Sequence, residues 1–155
     1  MRILIIEDDQ NKIKILTEFL ASLIPKSQII VKFSYQSGLK EIIIGGYNII
    51  LLDMSMPTFD ITPQEPGGTP RPFAGKEILR QMERRKIEIP VIVVTQFEKF
   101  GEGSSTIILS ELKNELSKFN KDIYVGTVYY NPGLNNWKEE LTTMLKKFII
   151  EEKTL

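Results

Sequence analysis

At 155 residues, with 42% apolar side chains, the chain has the size and the core material of one domain and no room for a second. Lys plus Arg and Asp plus Glu are equal at 20 each, so no overall field draws it to a nucleic acid or an anionic membrane, and neither is expected as a direct partner. Cysteine and histidine are both absent, which excludes disulfides, thiolate zinc sites, cysteine nucleophiles and every mechanism built on an imidazole base.

The chain opens as Met1-Arg2-Ile3-Leu4-Ile5-Ile6-Glu7, too short and too soon acidic for a signal peptide, and no later apolar run approaches a membrane span. A cytoplasmic protein is expected. Residues 3–6 read as a first strand ending in Glu7-Asp8-Asp9, after which Ile13, Leu16, Phe19, Leu20 and Leu23 share one face of a helix. A second strand at 29–33 precedes a short helix at about 35–44, and a third strand at 49–52 runs straight into Asp53. From 58 to 73 the chain carries Pro63, Pro66, Pro70 and Pro72 with Gly67 and Gly68, a composition that excludes both helix and central strand and predicts a long loop. A helix at about 75–86 and a fourth strand at 91–94 follow, the strand closing on Thr95. Residues 96–105, with Gly101 and Gly103, predict a second loop before a helix from about 106 whose stripe is Leu109, Leu112, Leu116 and Phe119. The fifth strand spans 123–130, and the last helix carries Trp137, Leu141, Met144, Leu145 and Phe148 on one side.

Most of these strand runs are continuously apolar rather than alternating, as parallel strands covered on both faces are. Strictly alternating strands and helices predict right-handed crossovers and a doubly wound parallel α/β sheet, one domain over 1–155 with an inserted loop at about 58–74. In such a sheet, ligands bind in the crevice beyond the strand carboxyl ends, where the strand order reverses. Glu7, Asp8 and Asp9 end the first strand, Asp53 the third and Thr95 the fourth. Asp9 has the residue type and the place of a helix N-cap. Glu7 and Asp8, by contrast, contribute nothing structural to an Ile-Leu-Ile-Ile strand, and Asp53 beside Ile49-Ile50-Leu51-Leu52 sets a charge against a core, which requires a partner. With the first and third strands as neighbours, Asp8 and Asp53 project into one pocket. Carboxylates that close repel unless a cation lies between them, and Mg²⁺, a hard ion with oxygen ligands that bridges to phosphate, is the natural choice.

This pattern resembles the receiver domain of two-component response regulators. Glu7-Asp8 after an apolar strand is similar to that family's acidic pair, and Asp53-Met54-Ser55-Met56-Pro57 to its phosphoacceptor followed by Met-Pro. Gly75-Lys76-Glu77-Ile78-Leu79 is similar to the start of its third helix, and Pro90-Val91-Ile92-Val93-Val94-Thr95 to its fourth strand with the closing hydroxyl residue. The resemblance implies five parallel strands in the order 2-1-3-4-5, flanked by five helices in a flavodoxin-like three-layer sandwich. It implies that Asp53 accepts a phosphoryl group from a histidine kinase or phosphotransfer protein. Asp8, Asp53 and the backbone carbonyl of Ser55 would hold Mg²⁺, with Glu7 supporting through water. Thr95 would donate to a phosphoryl oxygen; on residue type alone it equally completes a strand.

The sequence departs from the family at two places. Where the family has Lys before Pro at the end of the fifth strand, this chain reads Tyr129-Tyr130-Asn131-Pro132, and Asn131 can donate a hydrogen bond but brings no charge. Arg71, Lys76 and Lys99 are the candidates for a replacement cation, and the family's switch aromatic falls near Val128, just before Tyr129 and Tyr130. The stretch 58–74 is far longer than the family's usual connection and is expected to cover part of the pocket or to form a partner surface. The implied function is a stand-alone receiver, not an enzyme, acting on a downstream protein partner or as a homodimer through its fourth and fifth helices and fifth strand. The chain ends shortly after the last helix, so no output domain is expected. Two alternatives stand beside it: a pseudo-receiver that binds partners without switching, and a haloacid-dehalogenase-type enzyme, against which Ser55 occupies the position of the required second Asp. Flavin binding is disfavoured because Glu7-Asp8-Asp9 would repel phosphate.

Overall fold

The apolar runs become the strands of one parallel sheet. A computed structural model describes residues 1–96, 99–100 and 107–153. In chain order they form β1 (Arg2–Ile6), α1 (Gln10–Leu23), β2 (Gln28–Lys32), α2 (Tyr35–Ile44), β3 (Ile49–Leu52), α3 (Ala74–Arg85), β4 (Val91–Thr95), β5 (Lys99–Phe100), β6 (Ile107–Ile108), α4 (Leu109–Leu116), β7 (Tyr124–Tyr129) and α5 (Asn136–Lys153). The main sheet runs β2-β1-β3-β4-β7, all parallel, which is 2-1-3-4-5 when its own strands are counted, and five helices accompany it. None of the described helices is long and apolar enough to cross a membrane.

The absence of alternation follows from two cores. Ile3 and Ile5 of β1 pack with Leu16 and Leu20 of α1 and Leu141 and Leu145 of α5. Leu4 and Ile6 face the other way, onto Ile42 of α2, Ile78, Leu79 and Met82 of α3, and Leu112 and Leu116 of α4. With helices on both faces, Ile3–Ile6 of β1, all of β3 and Val91–Val94 of β4 are buried, each such side chain contributing about 1.5–3 kcal/mol. Edge strand β2 is only half-buried. Trp137 of α5 is buried between Phe19 of α1, at 5.2 Å and 72° between ring planes, and Tyr130 at the end of β7, at 5.0 Å and 54°.

The region after β4 differs from expectation. Helix α4 begins at Leu109 rather than near 106, because Ile107–Ile108 pair antiparallel with Lys99–Phe100 in a separate two-stranded sheet and hold the backbone extended. The rest of the predicted loop at 96–105, with Gly101 and Gly103, lies outside the described residues apart from Gln96 and the backbone of 99–100.

Register positions what comes next. Ile6 of β1 stands opposite Lys32 of β2 and Leu52 of β3, so these strands end abreast. The ladder continues one step, Glu7 N–H donating to the Lys32 carbonyl and Asp53 N–H to the Ile6 carbonyl, each at 3.0 Å. Glu7 and Asp53 are therefore delivered side by side at the carboxyl edge of the sheet.

Candidate functional site

Glu7, Asp8 and Asp53 each offer a carboxylate oxygen to a cluster within 4.8 Å. Glu7 and Asp53 are buried, at 2% and 4% exposure, while Asp8 stands exposed at the mouth. Glu7 is folded back on its own turn, its Oε1 accepting from the N–H groups of Asp8 and Asp9 at 3.1 Å. Asp9 is the N-cap of α1, accepting from the Lys12 N–H at 3.1 Å, as its position after the strand implies. Asp53 Oδ1 accepts from the N–H of Met54 at 2.8 Å. Ser55 lines the same pocket, a cleft of about 320 Å³. Thr95 is fully buried at the end of β4, its carbonyl accepting from Tyr130 N–H at 2.7 Å, and Gln96 beyond it reaches the pocket lining.

The residue that sequence reasoning missed is Lys12. Its side chain is 1% exposed, and its ammonium lies 2.5 Å from Glu7 Oε2 and 3.4 Å from Asp53 Oδ1 while donating to the Val94 carbonyl at 2.7 Å. The signal was present in the helical period: Lys12 precedes Leu16 and Leu20 by four and eight residues and so falls on the buried face of α1. The cations nominated from sequence are engaged elsewhere. Arg71 lies over the Tyr35 ring at 4.4 Å and donates to Thr58 Oγ1, and Lys76 pairs with Glu115 at 2.6 Å. The Lys99 side chain lies outside the described residues. Asn131 turns its Oδ1 to the Gly133 N–H at 3.0 Å, serving its own turn.

Burial dominates the electrostatics. It drives the Glu7 carboxyl up to about 7, the Asp53 charge adding to the rise and Lys12 opposing it. Asp8 is pushed up to about 6 by desolvation first and the Glu7 charge second. Asp53 is also raised by burial, against the pull of Lys12 and the Met54 N–H.

The long connection 57–73 forms one wall. Ile61, Pro66, Gly68 and Pro70 line the pocket opposite the acids. Its course is fixed by a Met56–Arg71 bridge and by Tyr35 and Gln36 N–H groups donating to the Pro57 and Thr58 carbonyls at 3.0 Å. Asp60 accepts from Ser34 Oγ at 2.5 Å and Ser37 Oγ at 2.7 Å, placing a carboxylate at the N-terminus of α2, where the helix dipole favours it. Gly67 and Gly68 supply φ of 100° and 69°, values that side chains rarely adopt.

Gly75 closes the site from below. A Cβ there would lie 2.6 Å from the Asp53 carbonyl oxygen and 3.1 Å from Met54 Cα, both backbone atoms that cannot swing aside. Gly75→Ala is expected to cost about 1–3 kcal/mol, by the strain of overpacking, and chemical denaturation measures the loss.

The chain is 35% identical over 143 residues to the Detocs response regulatory protein DtcB of Enterobacter cloacae (strain JD6301), covering 91% of this chain and 95% of that protein. Among solved structures it resembles a CheY-like response regulator receiver domain protein from Methanospirillum hungatei JF-1, with TM-score 0.61, 19% identity and coverage of 99% and 98%. It also resembles the Thermotoga maritima response regulator TrrA in complex with Mg²⁺-BeF, with TM-score 0.59, 22% identity and coverage of 93% and 98%. No protein-family model matches the chain. The chain belongs to the response regulator receiver family of two-component signalling. That agrees with the resemblance read from Glu7-Asp8, Asp53 and Thr95 and with the 2-1-3-4-5 sheet.

Proposed function

We propose that the protein is a phosphorelay signalling component in which Asp53 accepts a phosphoryl group from a histidine kinase or phosphotransfer protein and protein contacts carry the signal onward. The observation that carries this is the convergence of three carboxylates at the carboxyl edge of the sheet, within 4.8 Å of one another, although burial and mutual repulsion oppose it. Such an arrangement is costly unless it serves a ligand. The donor set fits a hard divalent cation: carboxylate oxygens only, beside a backbone carbonyl at Ser55. Asp8, Asp53 and Ser55 would hold Mg²⁺, with Glu7 in support, and a bound Mg²⁺ would offset negative charge on the phosphoryl group. The chain's own part is to present the nucleophile. One oxygen of Asp53 forms the new O–P bond as the P–N bond of the donor phosphohistidine breaks, the electron pair leaving on the imidazole. Thr95 is assigned as a phosphoryl contact. The wall built by 57–73 narrows access to Asp53 and presents the exposed Ile61 beside it, as a partner-reading surface would. No catalytic turnover of its own is assigned, and a cytoplasmic location suits the role.

A second reading, a pseudo-receiver that binds partners without switching, is favoured by one observation: the Lys12 ammonium already pairs with Glu7 and stands beside Asp53. Incubation with Mg²⁺ and a small acyl phosphate, followed by intact-mass measurement, separates the two. A single phosphoryl adduct that is lost in Asp53→Asn is expected; no adduct in the unaltered protein leaves the interaction module.

A further inference from the structure

We propose that Lys12 is the positioning cation of the acceptor carboxylate, supplying from the first helix the charge that Asn131 does not bring from the end of β7. This rests on the reading of Asp53 as acceptor. Among the described residues, Lys12 is the cation in ion-pair contact with Asp53, at 3.4 Å from Oδ1. Asn131 is turned to Gly133, Arg71 to Tyr35 and Thr58, and Lys76 to Glu115.

The geometry gives Lys12 a definite task. The Met54 N–H and the Lys12 ammonium both sit on Oδ1 of Asp53, which fixes the rotation of the carboxylate and leaves its second oxygen to attack. As that oxygen bonds to phosphorus, the donor's P–O bond breaks, and the electron pair leaves on the departing carboxylate when the donor is an acyl phosphate. Oδ1 then becomes the carbonyl oxygen of the acyl phosphate, and the pocket gains the negative charge of the phosphoryl group. An ammonium held in a buried site interacts with that charge far more strongly than one in water. The position is rigid because the ammonium is also bound to Glu7 Oε2 at 2.5 Å and to the Val94 carbonyl at 2.7 Å, and because the Asp9 cap holds its backbone. The Val94 bond also ties the cation to the end of β4, so a change at Asp53 would be felt by α1 and β4 rather than at position 131.

The test compares adduct formation at saturating Mg²⁺ and acetyl phosphate, read by intact mass over time, in the unaltered protein, in Lys12→Met and in Lys12→Met with Asn131→Lys. The limiting rate is expected to fall by about tenfold to a hundredfold in Lys12→Met, with a cooperative melting curve retained, and to recover substantially when Asn131→Lys returns a charge to the pocket. A purely structural role for Lys12 would not be restored by a lysine beyond the end of β7, so a low rate without recovery overturns the proposal. A rate within about twofold of the unaltered protein also overturns it, while leaving Asp53 as acceptor intact. Should Lys12→Met fail to fold, Lys12→Gln, which keeps N–H donors without the charge, is read the same way: a slowed rate supports the proposal and an unchanged one overturns it. No adduct in the unaltered protein removes the acceptor reading and this inference together.

Discussion

From about pH 5 to about pH 8, the affinity of the acidic pocket for Mg²⁺ is expected to rise on the order of a thousandfold, because a metal binds only the deprotonated carboxylates. With Asp8 raised to about 6 and Glu7 to about 7, both carry protons at the lower limit and neither does at the upper. Each proton displaced adds up to one decade of affinity per pH unit below its pKa. Calorimetric titration with Mg²⁺ across this range measures the slope. A flat profile would mean that the raised carboxyls are not the ligands.

The same groups set the pH dependence of folding, with the opposite sign. The ordinary values are 4.5 for Glu7 and 3.8 for Asp8, and both are higher in the folded chain. The folded state therefore holds protons that the unfolded state has released. The stability these groups contribute is fully present below about pH 4 and is lost as pH rises through about 6 and then about 7. Without Mg²⁺, the part of the melting temperature that these carboxyls govern falls over that interval. Above about pH 7, where that loss is complete, Mg²⁺ offsets it, since a ligand that binds only the folded state stabilises it. Chelation then separates the two melting profiles most widely at the alkaline end.

Trp137→Ala is expected to cost about 3–5 kcal/mol, the range for removing a buried aromatic ring from a core, out of about 5–15 kcal/mol for an ordinary domain. Trp137 is 2% exposed and wedged between Phe19 and Tyr130, so it joins the first helix, the last helix and the last strand at one point. Aromatic pairs in tilted and edge-on arrangements add to the area they bury. A urea denaturation midpoint well below that of the unaltered chain, with unchanged slope, is the expected readout. The effect should also reach the pocket, because the Tyr130 ring lies 5.6 Å from the Lys12 ammonium. A loss below about 1 kcal/mol would show that the site collapses around the missing ring.

The strands were legible because burial on both faces demands apolar residues at consecutive positions, and all five main-sheet strands lie within a residue of the runs that announced them. The beginning of α4 was not, because β5 and β6 are two residues each and leave no periodic signal; only their pairing defines them. Asp9 was legible as a cap because capping is local, a matter of three residues. Glu7, Asp8 and Asp53 were legible as strand-end acids, and the strand register then brought them together.

Sequence alone therefore determined the layered α/β order, the acidic strand ends and the interrupting proline-rich connection, since each depends on neighbours close in the chain. Tertiary structure decided which charges meet. Lys12 shows its burial in the helical period, yet its partners, Glu7, Val94 and Asp53, lie at the carboxyl ends of β1, β4 and β3 and meet only where those strands end together. Arg71 and Lys76 were equally plausible in one dimension, and long-range packing turned them to Tyr35 and Glu115 instead. A charge reads its environment through space, over distances that sequence separation does not encode.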